Sequence, residues 1–151
     1  NIISHEGAHL LLIAYSKENW KHLFKSDSTL KNDNYGHQNI PDWIDEAIAI
    51  LCEHPDIKQS RRVVMRDSIE KRVSLSKVLT GYREFRLLYN ELLSIMEFII
   101  EKEGNEIVNT IVEESIKKKT MEEILKENAK HIPYQLDELE KVWVEWVKAQ
   151  K

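Results

Sequence analysis

Four glycines and three prolines are all that this chain of 151 residues offers for tight turns. A β-sandwich or barrel needs a turn every few residues, each with its own backbone demands, so so few turn formers point to helices. The apolar residues agree, recurring at the three- and four-residue steps that line one face of a helix. Leu88, Leu92, Ile95 and Ile99 form one such series, and Val108, Ile111, Val112 and Ile116 form another. Leu136, Leu139, Trp143 and Trp146 make a third stripe. The expected fold class is mainly α, a single domain over residues 1–151 with one sizeable core.

Punctuation along the chain sets the expected element boundaries. Residues 2–15 read as a first helix, and the polar stretch 26–39 as a loop. Pro41 opens a second helix over 42–54, with Trp43, Ile44, Ala47, Ile48 and Leu51 on one face and Pro55 closing it. Val63, Val64, Ile69 and Val73 fit either a helix or a short extended piece, and Ser74 is expected to cap a short helix from Leu75. Residues 75–149 read as a helical C-terminal part, interrupted at Gly104 and restarted by a Thr120/Glu123 capping box. The first residue is Asn rather than Met, which suggests a processed or excised piece.

Charge and composition narrow the function classes. A formal net charge of -4 argues against a mainly electrostatic hold on nucleic acid. Arg61, Arg62 and Arg66, with Lys117 to Lys119, read as small solvated basic patches. No apolar run approaches a membrane span; Leu10 to Ala14 is expected to belong to a helix core. The lone Cys52 excludes an internal disulfide and reads as a buried, inert thiol. His22 and His131 read as surface residues.

The chemistry is concentrated near the start. His5-Glu6-Gly7-Ala8-His9 sets two imidazoles four residues apart, one helical turn above each other. Both can reach one zinc ion at about 2.0–2.1 Å. Glu6 lies one position round the helix, able to take a proton from a water held there without binding the metal. A catalytic zinc needs three protein ligands, and Glu46 on the second helix is the candidate for the third. Its apolar neighbours Trp43, Ala47 and Ile50 suit packing against the first helix, where a carboxylate is costly without a cation. Asp45 is the rival, expected to face solvent.

His-Glu-x-x-His followed by the Pro-x-Trp-x-x-Glu-Ala-x-Ala segment at Pro41 to Ala49 resembles the gluzincin zinc metallopeptidases, particularly the bacterial peptidase MA-like group. The stretch from Tyr89 to Gly104 is similar to the Tyr-led helix ending in Gly that follows the third ligand there. The Thr120 helix and the Leu139 to Trp146 helix resemble that group's closing elements, so the likeness runs from Ser4 to about Val147.

The resemblance implies a zincin-like helical catalytic portion and hydrolysis of peptide or protein substrates. It implies Zn2+ on His5, His9 and Glu46, and Glu6 as general base and acid. It also implies an oxyanion donor, for which Tyr89 is the first choice and Tyr82 the second, with His37 and His54 as further candidates near Glu46. The β-sheet that precedes the motif helix in that family is expected to lie outside this chain, because only four residues precede His5. Two departures stand out. The gap from His9 to Glu46 is longer than in thermolysin-like members, which makes 26–39 an insertion or rim. Ile50 also occupies the position where those sites carry an Asp that orients a zinc-bound His, so the orienting group is expected elsewhere, such as a backbone carbonyl. The alternatives are a zinc-binding, non-catalytic binding or regulatory protein, and a helical interaction module whose motif is accidental.

Overall fold

The computed structural model describes residues 2–19, 40–79 and 87–150. These residues are mainly helical, with no strand among them. In chain order the helices are α1 (Ile2–Asn19), α2 (Asp42–Leu51), α3 (Pro55–Asp67), α4 (Leu75–Val78), α5 (Leu88–Glu103), α6 (Glu106–Ile116), α7 (Met121–Asn128) and α8 (Leu136–Ala149). A 3-10 turn at Ile69–Lys71 follows α3. No helix among the described residues is long and apolar enough to cross a membrane. The 26–39 loop, His22, His37 and Tyr82 lie outside the described residues.

α5 is the axis of the core. Leu92, Leu93, Ile95, Met96, Phe98 and Ile99 are all buried, so this helix is apolar on most of its circumference, as a centrally packed helix must be. α2, α3, α4, α6 and α8 all pack against it. From α8, Leu139, Trp143 and Val147 reach the same core, and the Trp143 indole N–H donates to Ser94 Oγ at 3.0 Å. That bond satisfies a donor that burial would otherwise strand. α1 packs against α2, which lies between α1 and α5.

Helix ends follow local chemistry, with two shifts from the sequence expectation, the first being α1, which runs on to Asn19 rather than ending at 15. α2 stops at Leu51 rather than 54, and Cys52 caps it in the right-handed helical region. His54 then serves α3, its Nδ1 accepting the Asp56 N–H at 3.4 Å, with Pro55 in the first helical position. Pro55 therefore opens a helix as well as ending one, because its missing N–H has no intrahelical partner there. α5 ends at Gly104 with φ +87, a conformation that favours glycine. Ser74 precedes α4 as expected but makes no side-chain capping bond.

The Thr120 capping box is complete. Thr120 Oγ1 accepts the Glu123 N–H at 3.3 Å, and the Glu123 carboxylate accepts the Thr120 N–H at 2.8 Å. Thr120→Ala is expected to cost about 1 kcal/mol of stability. It should lower the urea midpoint with an unchanged denaturant slope.

Several surface expectations are corrected. Leu10 and Leu11 are 69% and 71% exposed, so only Leu12 of that run joins the core. α1 meets its neighbour through Ala8, His9 and Leu12, spaced for one face, and the two leucines fall on another. Cys52 is exposed at the end of α2 rather than buried. Val63 and Val64 are helical and exposed, while Met65 and Ile69 turn inward. Most of the basic patches are ion-paired: Arg61 with Glu53, Arg62 with Glu97, and Lys117 and Lys119 with Glu114.

Candidate metal centre

The packing of α1 on α2 decides the site. α1 presents His5, Ala8 and His9 toward α2, and the small Ala8 and Ala49 let the two backbones approach. His5, His9 and Glu46 each turn one ligand atom inward, and the three atoms lie within 4.8 Å of one another. His9 Nε2 stands 3.3 Å from His5 Nε2, and His5 Nε2 stands 3.4 Å from Glu46 Oε2. Tetrahedral coordination at about 2.0–2.1 Å sets neighbouring donors about 3.3–3.4 Å apart. The two spacings match that edge length.

The outer nitrogens explain which lone pairs face inward. Asp45, on α2, is buried, and its Oδ1 lies 2.8 Å from His9 Nδ1. A carboxylate only accepts, so His9 carries its proton on Nδ1 and turns the Nε2 lone pair inward. Glu53, just after α2, is also buried and sets Oε1 3.3 Å from His5 Nδ1, too poorly aligned for a hydrogen bond. Its charge favours a proton on His5 Nδ1 and a lone pair on His5 Nε2. Two imidazole lone pairs and a carboxylate oxygen then face one point. Glu46 Oε2 is buried there and accepts no hydrogen bond among the described residues. Three electron-rich atoms so arranged repel one another unless a proton shared between the two Nε2 atoms or a metal cation stands among them. The donor set, two imidazoles and a carboxylate, is one that zinc takes.

A further layer surrounds this centre. The Arg61 guanidinium grips Glu53 with two bonds, Nε to Oε2 at 2.6 Å and Nη2 to Oε1 at 2.7 Å. Its Nη1 reaches Asn90 Oδ1 at 3.5 Å, and its carbon lies 5.4 Å over the Tyr89 ring. Tyr89 in turn sets its ring edge-on to His5, with 6.1 Å between centroids. Two carboxylates, one guanidinium and one aromatic ring thus brace the pair of histidines from outside.

Each site residue read from the sequence has a place in this picture. His5, His9 and Glu46 come together. Glu6 is half-buried, next to His5 on α1. Tyr89, 42% exposed at the start of α5, stands beside His5 rather than in the core. His54 points elsewhere, exposed and engaged with Asp56. Asp45 is the main correction, since it lies buried against His9 instead of facing solvent. The group that orients His9 is therefore a side-chain carboxylate, Asp45, rather than a backbone carbonyl. Glu53 lies beyond the end of α2 at Leu51, where helical spacing assigns no face.

Comparison of the chain with known protein families, curated proteins and solved structures finds no match.

Proposed function

We propose that this chain is the helical catalytic portion of a gluzincin-type zinc metallopeptidase that hydrolyses peptide bonds. The observation that carries the reading is the convergence of His5, His9 and Glu46, with Glu6 beside His5 on the same helix. His5 Nε2, His9 Nε2 and a Glu46 oxygen would hold the zinc. Bound there, zinc would supply Lewis-acid polarisation of a scissile carbonyl and a water acidified toward a pKa of about 7.

The chain's own residues do the rest. Glu6 takes the proton of the attacking water and later delivers it to the leaving amine. Tyr89, beside His5, offers its hydroxyl to the oxygen that gains charge in the transition state. Asp45 holds the His9 imidazole in one tautomer and orientation, which would keep its Nε2 lone pair turned toward a bound ion. Arg61 neutralises Glu53, so the group facing His5 Nδ1 is not an isolated buried charge.

Equilibrium dialysis with elemental analysis is expected to find one zinc per chain at neutral pH. Glu46→Ala should lower zinc affinity by more than about tenfold. The zinc-loaded protein should cleave members of a broad peptide library, losing activity to a chelator and regaining it with zinc. Zinc retained without any cleavage would leave a zinc-binding, non-catalytic protein. No zinc uptake would remove both readings.

A further inference from the structure

A second cluster of ionisable groups lies away from the histidines, where α5 and α8 flank the connection between the 3-10 turn and α4. Residues 72–74 run between helices, so their backbone groups need partners outside the helical ladder. Two carboxylates provide them. Glu91 of α5 accepts the Val73 N–H on Oε1 at 2.9 Å. Glu140 of α8 accepts the Leu75 N–H on Oε2 at 2.9 Å and the Arg72 Nε–H on Oε1 at 2.9 Å. Arg72 also donates through Nη1 to the Ile69 carbonyl at 3.3 Å.

The two carboxylates are not equally served. Glu140 has the guanidinium and an amide. Glu91 has one amide, is 0% exposed, and its Oε2 is buried with no hydrogen-bond partner among the described residues. An ionised carboxylate in that position carries a buried oxygen that no described residue satisfies, and Glu140 adds like charge nearby. A protonated Glu91 keeps the bond to Val73 through Oε1 and removes the uncompensated charge.

We propose that Glu91, Arg72 and Glu140 form a proton-dependent latch on the 72–75 connection, firm while Glu91 carries a proton and loosened when Glu91 ionises. Burial pushes the Glu91 carboxyl up to about 7, against the pull of the Val73 amide and Arg72, with a smaller upward push from Glu140. Of the other elements packed on α5, α2 turns Asp45 and Glu46 toward the histidines, and Glu114 of α6 pairs with Lys117 and Lys119. Arg61 and Arg62 of α3 are engaged with Glu53 and Glu97, Lys77 of α4 is exposed, and Glu70 of the 3-10 turn pairs with Lys148 at 3.1 Å.

The latch sits where it can be felt by the first turn of α5. Tyr89 and Asn90 occupy that turn, and Asn90 receives the Arg61 N–H. Neither residue belongs to the latch, and the inference does not depend on zinc or on catalysis.

The sign follows from the direction of the shift. A carboxyl raised in the folded chain stabilises it most, relative to an uncharged mimic, below the ordinary value of 4.5. That contribution is lost as the pH rises and is gone above about 7. Glu91→Gln, which keeps an acceptor for Val73 and never ionises, should therefore gain on the wild type as the pH rises. Urea unfolding of both full chains from pH 4.5 to 8.5 should show the ratio of their folding equilibria changing by about a hundredfold in favour of the variant. Amide exchange, corrected for the intrinsic pH dependence, should show Val73 losing protection over this window in the wild type but not in Glu91→Gln.

Parallel stability curves for the two proteins would overturn the latch. So would Val73 protection that is equally pH-dependent in both. Should Glu91→Gln fail to fold, Glu140→Gln carries the test. Removing the neighbouring charge and releasing Arg72 toward Glu91 should move the loss of Val73 protection to lower pH, and an unmoved midpoint would likewise reject the proposal.

Discussion

Glu6→Gln is expected to cut peptide hydrolysis by about 10²–10⁴-fold while zinc stoichiometry stays that of the wild type. The size follows from the chemistry. Gln keeps the shape of the side chain but cannot accept the proton that the attacking water must lose. At about 1.4 kcal/mol per factor of ten, the change amounts to about 3–5 kcal/mol of transition-state stabilisation. Retained zinc matters equally, because Glu6 is not among the three converging ligand atoms. Elemental analysis and initial rates on one cleaved peptide, measured on the same preparation, separate the two quantities. A variant that keeps its zinc and its activity would take Glu6 out of the mechanism, and a variant that loses zinc would make Glu6 part of the metal-holding set.

Asp45→Ala is the second large effect, expected to lower zinc affinity about 10–100-fold although Asp45 is not one of the three ligands. Its Oδ1 lies 2.8 Å from His9 Nδ1 in a buried pair, which holds the imidazole ring in place and fixes its proton on the outer nitrogen. Without that acceptor the ring is free to carry its proton on Nε2, where it faces the ion instead of binding it. Competition against a chromophoric chelator reads the affinity directly. Asp45→Asn, which retains an oxygen acceptor of the same reach, should recover much of the loss. Equal affinities for wild type and Asp45→Ala would show that His9 is oriented by packing alone. A loss unrelieved in Asp45→Asn would point to charge rather than orientation.

The helices and the shared face of His5 and His9 were legible in the sequence for the same reason. Both depend on periodicity within one element, which is fixed before any packing occurs. His5 and His9 share a face because they are four residues apart, and Leu92, Ile95 and Ile99 share one by the same rule. What could not be read was the rotation of one helix against another. Asp45 and Glu46 are adjacent, and either could have faced α1; the structure turns both toward the histidines, one to each side of the point of convergence. Glu53 and Arg61 depend further on where α2 ends and how α3 leaves it, and the end of α2 was read three residues too late. Leu10 and Leu11 stay exposed within an apolar run. Apolar character makes burial favourable without requiring it, so an unbroken apolar run does not say which of its members point inward.

The carboxylates around the histidines all come from one short stretch of chain. Asp45, Glu46 and Glu53 all belong to α2 and the turn after it, whereas both imidazoles belong to α1. A divalent ion at their meeting point would act as a rivet between two rods, and α2 would be the plate through which the outer rod is fastened to the body of the molecule. Withdrawing the rivet would loosen a whole joint rather than empty a single cup.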